Sequence, residues 1–360
     1  MLGYGCMRFP QKDGKIDYAA AEALIDTALE SGVNYYDTAY MYHGGQSERF
    51  LRKALIERHD RSSYYVADKL PIWECKEEAD CLRVFEEQLD RLGTDYIDYY
   101  LLHSLNAGNW ESCKKLGAHT LQKELKRQGR IRYAGFSFHD SPEVLAQILN
   151  ENEWDFCQLQ LNYYDWDNGR AGEMYRLCEE RGVPVIVMEP VRGGSLANMN
   201  TEIQAIFKEA NPDASIASWA IRYVGSLDNV RVVLSGMTTM DQLTDNLKTC
   251  TNFAPLTPAE RNVIDRVLEA FNRLPLVACT SCRYCEICPM GIDIPRAFGL
   301  YNEYVKFGAP WTLKGQYLKE TPAEALADRC TGCRACAEIC PQHLEIPELL
   351  KKVLDTANSL

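Results

Sequence analysis

The property that most narrows what this chain can fold into is an alternation, sustained through its first two thirds, between short β-rich apolar runs and longer stretches of helical period. Residues 2–7 read as a strand and 17–30 as a helix, with Ala20, Leu24 and Ala28 at helical spacing. The pair recurs as 33–37 with 47–55, where Ser47 and its neighbour Gln46 offer an N-cap, as 64–69 with 76–92, and as 96–103 with 113–128. It continues as 131–137 with 142–150, 156–161 with 172–180, 183–188 with helical stretches between 201 and 223, and 230–234 with 239–249. Strands joined through helices run parallel with right-handed crossovers, and eight such units closing on themselves make an α/β fold, the (β/α)8 TIM barrel. An open doubly wound sheet is the competing arrangement. It wants a glycine-rich phosphate turn between the first strand and a helix, and here Gly3 and Gly5 run into Cys6-Met7-Arg8 with no helix start behind them.

The alternation stops near residue 252, and a helix over 258–272 leads into a cysteine-dense tail. The boundary is therefore expected near 274/275, giving a barrel over 1–274 and a small α-helical, ferredoxin-like domain over 275–360; 360 residues are enough to give each a core. The tail carries Cys279-x2-Cys282-x2-Cys285-x2-Cys288-Pro289 and Cys330-x2-Cys333-x2-Cys336-x3-Cys340-Pro341. Three thiolates at such spacing in a tight loop grip three corners of a cubane, and the Cys-Pro ending carries the fourth toward the neighbouring cluster. By that crossing Cys279, Cys282, Cys285 and Cys340 hold one [4Fe–4S] cluster, and Cys330, Cys333, Cys336 and Cys288 hold a second. Two structural zinc sites are the alternative, since four thiolates also suit tetrahedral zinc. Zinc sites, however, pair two Cys-x2-Cys knuckles across a longer stretch, whereas these short gaps follow in series. Helices over 295–305 and 347–356, each opened by Ile-Pro, follow the two runs, and 279–294 resembles 330–346, so the tail reads as an internal repeat.

Of the 15 cysteines, the seven outside these runs (Cys6, Cys75, Cys81, Cys113, Cys157, Cys178 and Cys250) stand singly. They read as small buried apolar residues, with Cys6 at the end of the first strand able to face the site. A formal net charge of -12 argues against nucleic acid or an anionic membrane surface as a partner. No apolar run reaches the ~18 residues of a membrane span, and Met1 is followed by Leu-Gly-Tyr-Gly-Cys rather than a basic and then apolar leader, so a cytoplasmic location is expected.

Catalytic groups of a TIM barrel stand at the C-terminal ends of its strands. Asp37 ends the second strand, Lys69 the third and His103 the fourth, with Tyr42 in the loop after the second. These types suit carbonyl reduction. A ketone that takes a hydride becomes an alkoxide and needs a proton; a tyrosine, with an ordinary pKa of about 10, supplies it when a neighbouring cation favours the phenolate. Lys69 is that cation, Asp37 holds it, and His103 orients the carbonyl oxygen. Singly, each has a plainer reading: a rim ion pair, a loop aromatic, a core histidine. Trp73, Trp110 and Trp166 fall in loops expected to ring the mouth, as an apolar wall or as loop packing.

Asp37-Thr38-Ala39-x-x-Tyr42, Lys69 and Asp98-Tyr99-Tyr100-Leu101-Leu102-His103 together resemble the aldo-keto reductase family. So do Gly135-Phe136-Ser137, Gln158-Leu159-Gln160, and Leu234-Ser235-Gly236-Met237 followed by Asp245-Asn246. The resemblance runs from Leu2 to about Thr249, and the tail is similar to that of the subgroup with a C-terminal iron–sulfur domain. It implies a tetrad of Asp37, Tyr42, Lys69 and His103 with Tyr42 as general acid, and a nicotinamide cofactor, NADPH or NADH, across the barrel mouth. It also implies Ser137 and Gln158 at the nicotinamide amide, Ser235, Gly236 and Met237 in the cofactor loop after the eighth strand, and Asn246 near the adenine. Glu189 stands where many members stack an aromatic ring on the nicotinamide, and Gln242 where an Arg often clamps a 2′-phosphate. Family members usually open with a hairpin under the barrel; here 2–5 already reads as the first barrel strand, so that hairpin is expected to be absent or to lie upstream.

The first reading is an oxidoreductase acting on a small carbonyl or alcohol. The second is an electron-transfer or regulatory iron–sulfur protein whose barrel no longer uses NAD(P)H, with a redox partner protein docking at the clusters. Hydride transfer moves two electrons and a cubane moves one, so either a flavin or radical step lies between the two halves, or the clusters relay electrons to an external partner, or they are structural.

Overall fold

The computed structural model describes residues 1–251, 253–279 and 281–360. Eight parallel strands close into the expected barrel: β1 (Leu2–Gly5), β2 (Tyr35–Asp37), β3 (Tyr65–Leu70), β4 (Ile97–Leu105), β5 (Ile131–Phe138), β6 (Phe156–Gln160), β7 (Val185–Met188) and β8 (Val230–Ser235). Each strand pairs with its sequence neighbours, and β8 returns to β1 through Gly3↔Leu234 and Tyr4↔Ser235. The barrel interior is filled by Tyr35, Ala67, Leu101, Phe156, Ile186 and Leu234, one side chain from each of six strands. β1 and β5 contribute Gly3 and Gly135 instead. A Cβ on Gly135 would come within 2.5 Å of the Phe156 ring, and one on Gly3 within 2.7 Å of Val232, so glycine there makes room for the side chains opposite.

Several elements differ from the periodicity, for local reasons. The second helix covers only Ser47–Leu51 before passing into a π-turn at Arg52–Ile56. Gln46 is its N-cap residue without a side-chain bond, and Ser47 is instead buried, accepting from Thr38 Oγ1 at 2.8 Å and donating to the Cys6 carbonyl at 3.4 Å. The helix expected over 113–128 is two, Ala107–Lys115 and Ala118–Arg127, broken where Gly117 turns left-handed at φ 63°. A small hairpin, Gln11–Lys12 with Lys15–Ile16, follows β1 around Asp13-Gly14, both at positive φ; this turn dipeptide between short strands was a legible signal that the strand–helix pattern passed over.

The chain separates into two compact units, Met1–Gly193 with Ala217–Thr257, and Gly194–Ile216 with Pro258–Leu360. The helix Pro258–Asn272, which a boundary at 274/275 leaves with the barrel, groups with the tail, where it packs on Thr201–Ala210 and Arg266 pairs with Glu209 at 2.7 Å. The second unit has its own core, in which Ile294, Phe298, Tyr301, Leu313, Tyr317, Ile346, Leu350 and Val353 pack together. Its repeat is visible in the backbone. Ser281 and Gly332, Arg283 and Arg334, and Gly291 and His343 take positive φ at matching places in the two cysteine runs. Each run then enters a helix with Ile-Pro in its first turn, Ile294–Phe307 or Ile346–Ser359.

Candidate active site and cysteine cavity

Strand alternation turns Ala67 and Lys69 of β3 into the barrel and sends Val66, Asp68 and Leu70 outward. Lys69 is 1% exposed. Its Nζ donates to Asp37 Oδ1 at 2.7 Å and to the Thr38 carbonyl at 2.6 Å, and lies 4.8 Å from the centre of the Tyr42 ring. Burial by itself would push the ammonium down, but Asp37 and then Tyr42 outweigh it and hold Lys69 above its ordinary value. Burial raises the Asp37 carboxyl, and Lys69 pulls it back. Two charges removed from water without this geometry would be strongly destabilising.

Tyr42 opens a tight turn, Tyr42–Gly45, in which His43 and Gly44 are left-handed, at φ 53° and 63°. This turn swings the phenol back toward Lys69. Burial raises the Tyr42 pKa, with Lys69 acting in the opposite direction by charge and by hydrogen bonding. The cation's effect thus has the expected sign, but desolvation wins and the phenol stays protonated. His103 completes the group from β4, its ring centre 6.3 Å from that of Tyr42 and 5.2 Å from that of Trp73. Burial, reinforced by Lys69 and His139, lowers the imidazole to about 3, so it is neutral. Asp37 Oδ2, His103 Nδ1 and Gln158 Oε1 are buried with no hydrogen-bond partner among the described residues.

Ser137 and Gln158 are paired in register on β5 and β6 and are both buried. The Ser137 hydroxyl accepts from the Ser104 N–H at 2.7 Å, and Gln158 Nε2 points at Met188 Sδ at 3.7 Å. Glu189, just after β7, is left-handed at φ 54°, and its carbonyl accepts from Asn162 Nδ2 at 3.3 Å. After β8, Met237 is buried and its carbonyl accepts from Tyr4 at 2.7 Å. Asn246 donates to Ser235 Oγ at 2.8 Å, and Gln242 Oε1 accepts from Thr238 N at 2.7 Å and Thr239 N at 3.3 Å. Both amides therefore make bonds within the chain.

Of the three tryptophans, Trp73 is 42% exposed beside His103. Trp166 packs on Tyr175 and Tyr223. Trp110 is no part of the mouth: only 2% exposed, it packs on Trp154 and donates to Glu151, because its helix turns it into the layer outside the strands. His139, which acts electrostatically on His103 and feels Glu189, was missed; its signal was its place directly after the fifth strand.

A family model for the aldo/keto reductases matches residues 1–269. The chain belongs to the aldo/keto reductase family. A second model, for a 4Fe-4S dicluster domain, matches residues 278–345 of this aldo/keto reductase. Among similar curated proteins, an uncharacterized oxidoreductase, YqkF, of Bacillus subtilis (strain 168) is 27% identical over 277 residues, 69% of this chain and 86% of that protein. An NADH-specific methylglyoxal reductase of Escherichia coli (strain K12) is 30% identical over 217 residues, 53% of this chain and 63% of that one. Among solved structures, the holo form of an aldo-keto reductase from Bacillus halodurans superposes with a TM-score of 0.61 at 29% identity, covering 74% of this chain and 91% of that chain. This places the reductase barrel and the iron–sulfur tail in one oxidoreductase.

Within the second unit, a cavity is lined by Cys279, Cys282, Cys285 and Cys340, and closed on its apolar side by Ile294, Phe298 and Ile346. Three of these cysteines come from the first run and one from the second. Among the described residues none of the eight tail cysteines is in a disulfide, and the Ser281 N–H points at Cys279 Sγ at 3.4 Å. Left-handed residues stand between the cysteines of each run, Ser281 and Arg283 in the first, Gly332 and Arg334 in the second. A single tetrahedral zinc would draw its sulfurs to roughly 3.8 Å of one another. Among the described residues no three His, Cys, Asp or Glu side chains are so arranged, and four of the tail thiols line one cavity. Among the described residues no helix is long and apolar enough to cross a membrane.

Proposed function

We propose that this enzyme reduces a small aldehyde or ketone, or oxidises the matching alcohol, with Tyr42 as the proton donor. The observation that carries the reading is the buried Lys69, held by Asp37 at 2.7 Å and set against the Tyr42 ring at 4.8 Å. NADH or NADPH, when bound, supplies the hydride. The unpartnered Gln158 Oε1 suits the amide N–H of its nicotinamide, and the Ser137 hydroxyl beside it still has a proton to donate. His103, neutral and at the mouth, gives one hydrogen bond to the substrate oxygen without adding a second cation beside Lys69. As negative charge grows on that oxygen, Tyr42 releases its proton to it; Lys69 stabilises the phenolate left behind, and Asp37 keeps Lys69 charged and in place. Tyr42→Phe keeps the ring and deletes the proton, so turnover of a test aldehyde falls by about 10²- to 10⁴-fold with little change in cofactor affinity. Near-normal turnover would remove Tyr42 from the role.

The loop 236–242 has no Lys or Arg, so a 2′-phosphate finds no charge there, and NADH is the expected better cofactor, as the name of the methylglyoxal reductase states for that relative. The tail holds two [4Fe–4S] clusters, one on Cys279, Cys282, Cys285 and Cys340, the other on Cys330, Cys333, Cys336 and Cys288. They serve one-electron exchange with a redox partner protein in the cytoplasm. The second reading, a barrel no longer using NAD(P)H, draws on Gln242 and Asn246 being committed to bonds within the chain. Titration with both cofactors separates the two, since binding of neither at millimolar concentration sinks the reductase.

A further inference from the structure

A dinucleotide carries two negative charges on its diphosphate, which an enzyme meets with backbone N–H groups at a helix N-terminus or with a cation. The loops where a TIM barrel most often holds phosphate, those after its seventh and eighth strands, are here poor in free cations. After β8 there is none from Gly236 to Gln242. After β7, Arg192 is paired with Asp165 at 3.2 Å. The N-terminus of the helix Met240–Thr251 is also occupied by the chain's own groups: Gln242 Oε1 takes the N–H groups of Thr238 and Thr239, and Thr239 Oγ1 takes that of Gln242 at 3.3 Å.

The cation comes from elsewhere in the sequence. Arg8 ends the short helical turn Cys6–Arg8 that follows β1, and β8 lies between β1 and β7 in the barrel. Its backbone is tied to the loop after β8 by a bond from Thr238 Oγ1 to the Arg8 carbonyl, 2.8 Å. Its side chain then runs over Gly236: a Cβ built there would stand 3.1 Å from Arg8 Cδ and 3.2 Å from Cβ and Cγ. The guanidinium ends over Gly193, 3.4 Å from the point where a Cβ would lie, and Gly193 is itself left-handed at φ 65°. The stem thus covers the backbone after the eighth strand, and the fork stands by bare backbone in the loop after the seventh. It is exposed and makes no ion pair among the described residues.

We propose that Arg8 binds the diphosphate of the nicotinamide cofactor, over the glycine backbone at Gly193 and Gly236. This rests on the nicotinamide reading above and adds to it a named cation and its target. The planar five-donor fork suits two phosphate oxygens at once, while Gly236 makes room for the Arg8 stem and Gly193 leaves bare main chain beside the fork. Because the diphosphate is common to NADH and NADPH, Arg8 strengthens both equally and leaves discrimination at the 2′ position to other groups.

The test is anaerobic calorimetric titration of the full chain with NADH, NADPH and inorganic pyrophosphate, on wild type, Arg8→Ala and Arg8→Lys. Expected for Arg8→Ala is a loss of about 10- to 100-fold in affinity, the same for NADH as for NADPH, since charge-assisted bonds are removed. Arg8→Lys recovers part of it, keeping the charge without the fork, and pyrophosphate competes with NADH on wild type much better than on Arg8→Ala. Unchanged affinity in Arg8→Ala, or a loss confined to NADPH, overturns the proposal. A wild type that binds neither cofactor overturns the nicotinamide reading with it, and is recognised before any variant is made. The side chain is exposed, so a melting temperature matching wild type identifies the loss as one of binding, and Arg8→Lys serves as the second variant should Arg8→Ala melt early.

Discussion

The tetrad is governed by desolvation more than by charge. Lys69 is charged because Asp37 compensates its burial, Tyr42 is protonated because burial outweighs Lys69, and His103 is neutral because burial lowers it to about 3. A pH dependence follows. His103 titrates below its ordinary 6.5, so the rate of carbonyl reduction should show no break from this residue between about pH 5 and 9. For stability the sign is that of a depressed pKa: the unfolded chain takes up the proton first, so the contribution of neutral His103 is present above its unfolded pKa and lost as the pH falls toward about 3. His103→Gln should therefore flatten the loss of melting temperature between pH 6.5 and 4, which thermal melts across that range would check. An inflection near pH 6.5 in the wild-type rate that vanishes in His103→Gln would contradict the burial argument.

At the level of strands and helices, the mouth depends on how the barrel interior is filled. Tyr35 and Phe156 are larger than most barrel-interior residues, and they fit because Gly3 and Gly135 have no side chains. Gly135→Ala would set a methyl within 2.6 Å of both the Phe156 ring and its carbonyl oxygen. It should cost about 1–3 kcal/mol by overpacking, read as a lower denaturation midpoint. Phe156→Leu in the same chain should restore part of it; a Gly135→Ala chain as stable as wild type would show that the interior relaxes freely. Gly135, Ser137 and Gln158 lie on the same two paired strands, so the distortion should also weaken cofactor binding. In the motif Gly135-Phe136-Ser137, then, the glycine answers to packing, and the serine is the residue proposed for the site.

For the molecule as a whole, the tail raises the question of which cysteines share a cluster. Two independent loops would each keep four cysteines; crossing exchanges the last of each. The shared cavity of Cys279, Cys282, Cys285 and Cys340 favours crossing. Anaerobically purified protein should be brown, with about eight iron per chain. Cys340→Ser should bring this to about four. Cys285→Ser should lose the same cluster, so that the double variant also retains about four. Independent loops would instead leave the double variant with almost none. Colourless protein containing zinc would refute the clusters altogether. The chain's alternating pattern and its cysteine spacings were enough to name barrel and tail, and the order of Asp37, Tyr42, Lys69 and His103 to propose a tetrad, because period and short-range spacing are local and barrel closure leaves strand ends little choice of rim. Other features depended on residues far apart in sequence. That Trp110 belongs to the packing, that Gln242 and Asn246 bond within the chain, and that Arg8 reaches Gly193 and Gly236 were decided only when the barrel closed β1 against β8, and its helices against the strands. Burial and side-chain reach are properties of that closed arrangement, and no stretch of sequence carries them alone.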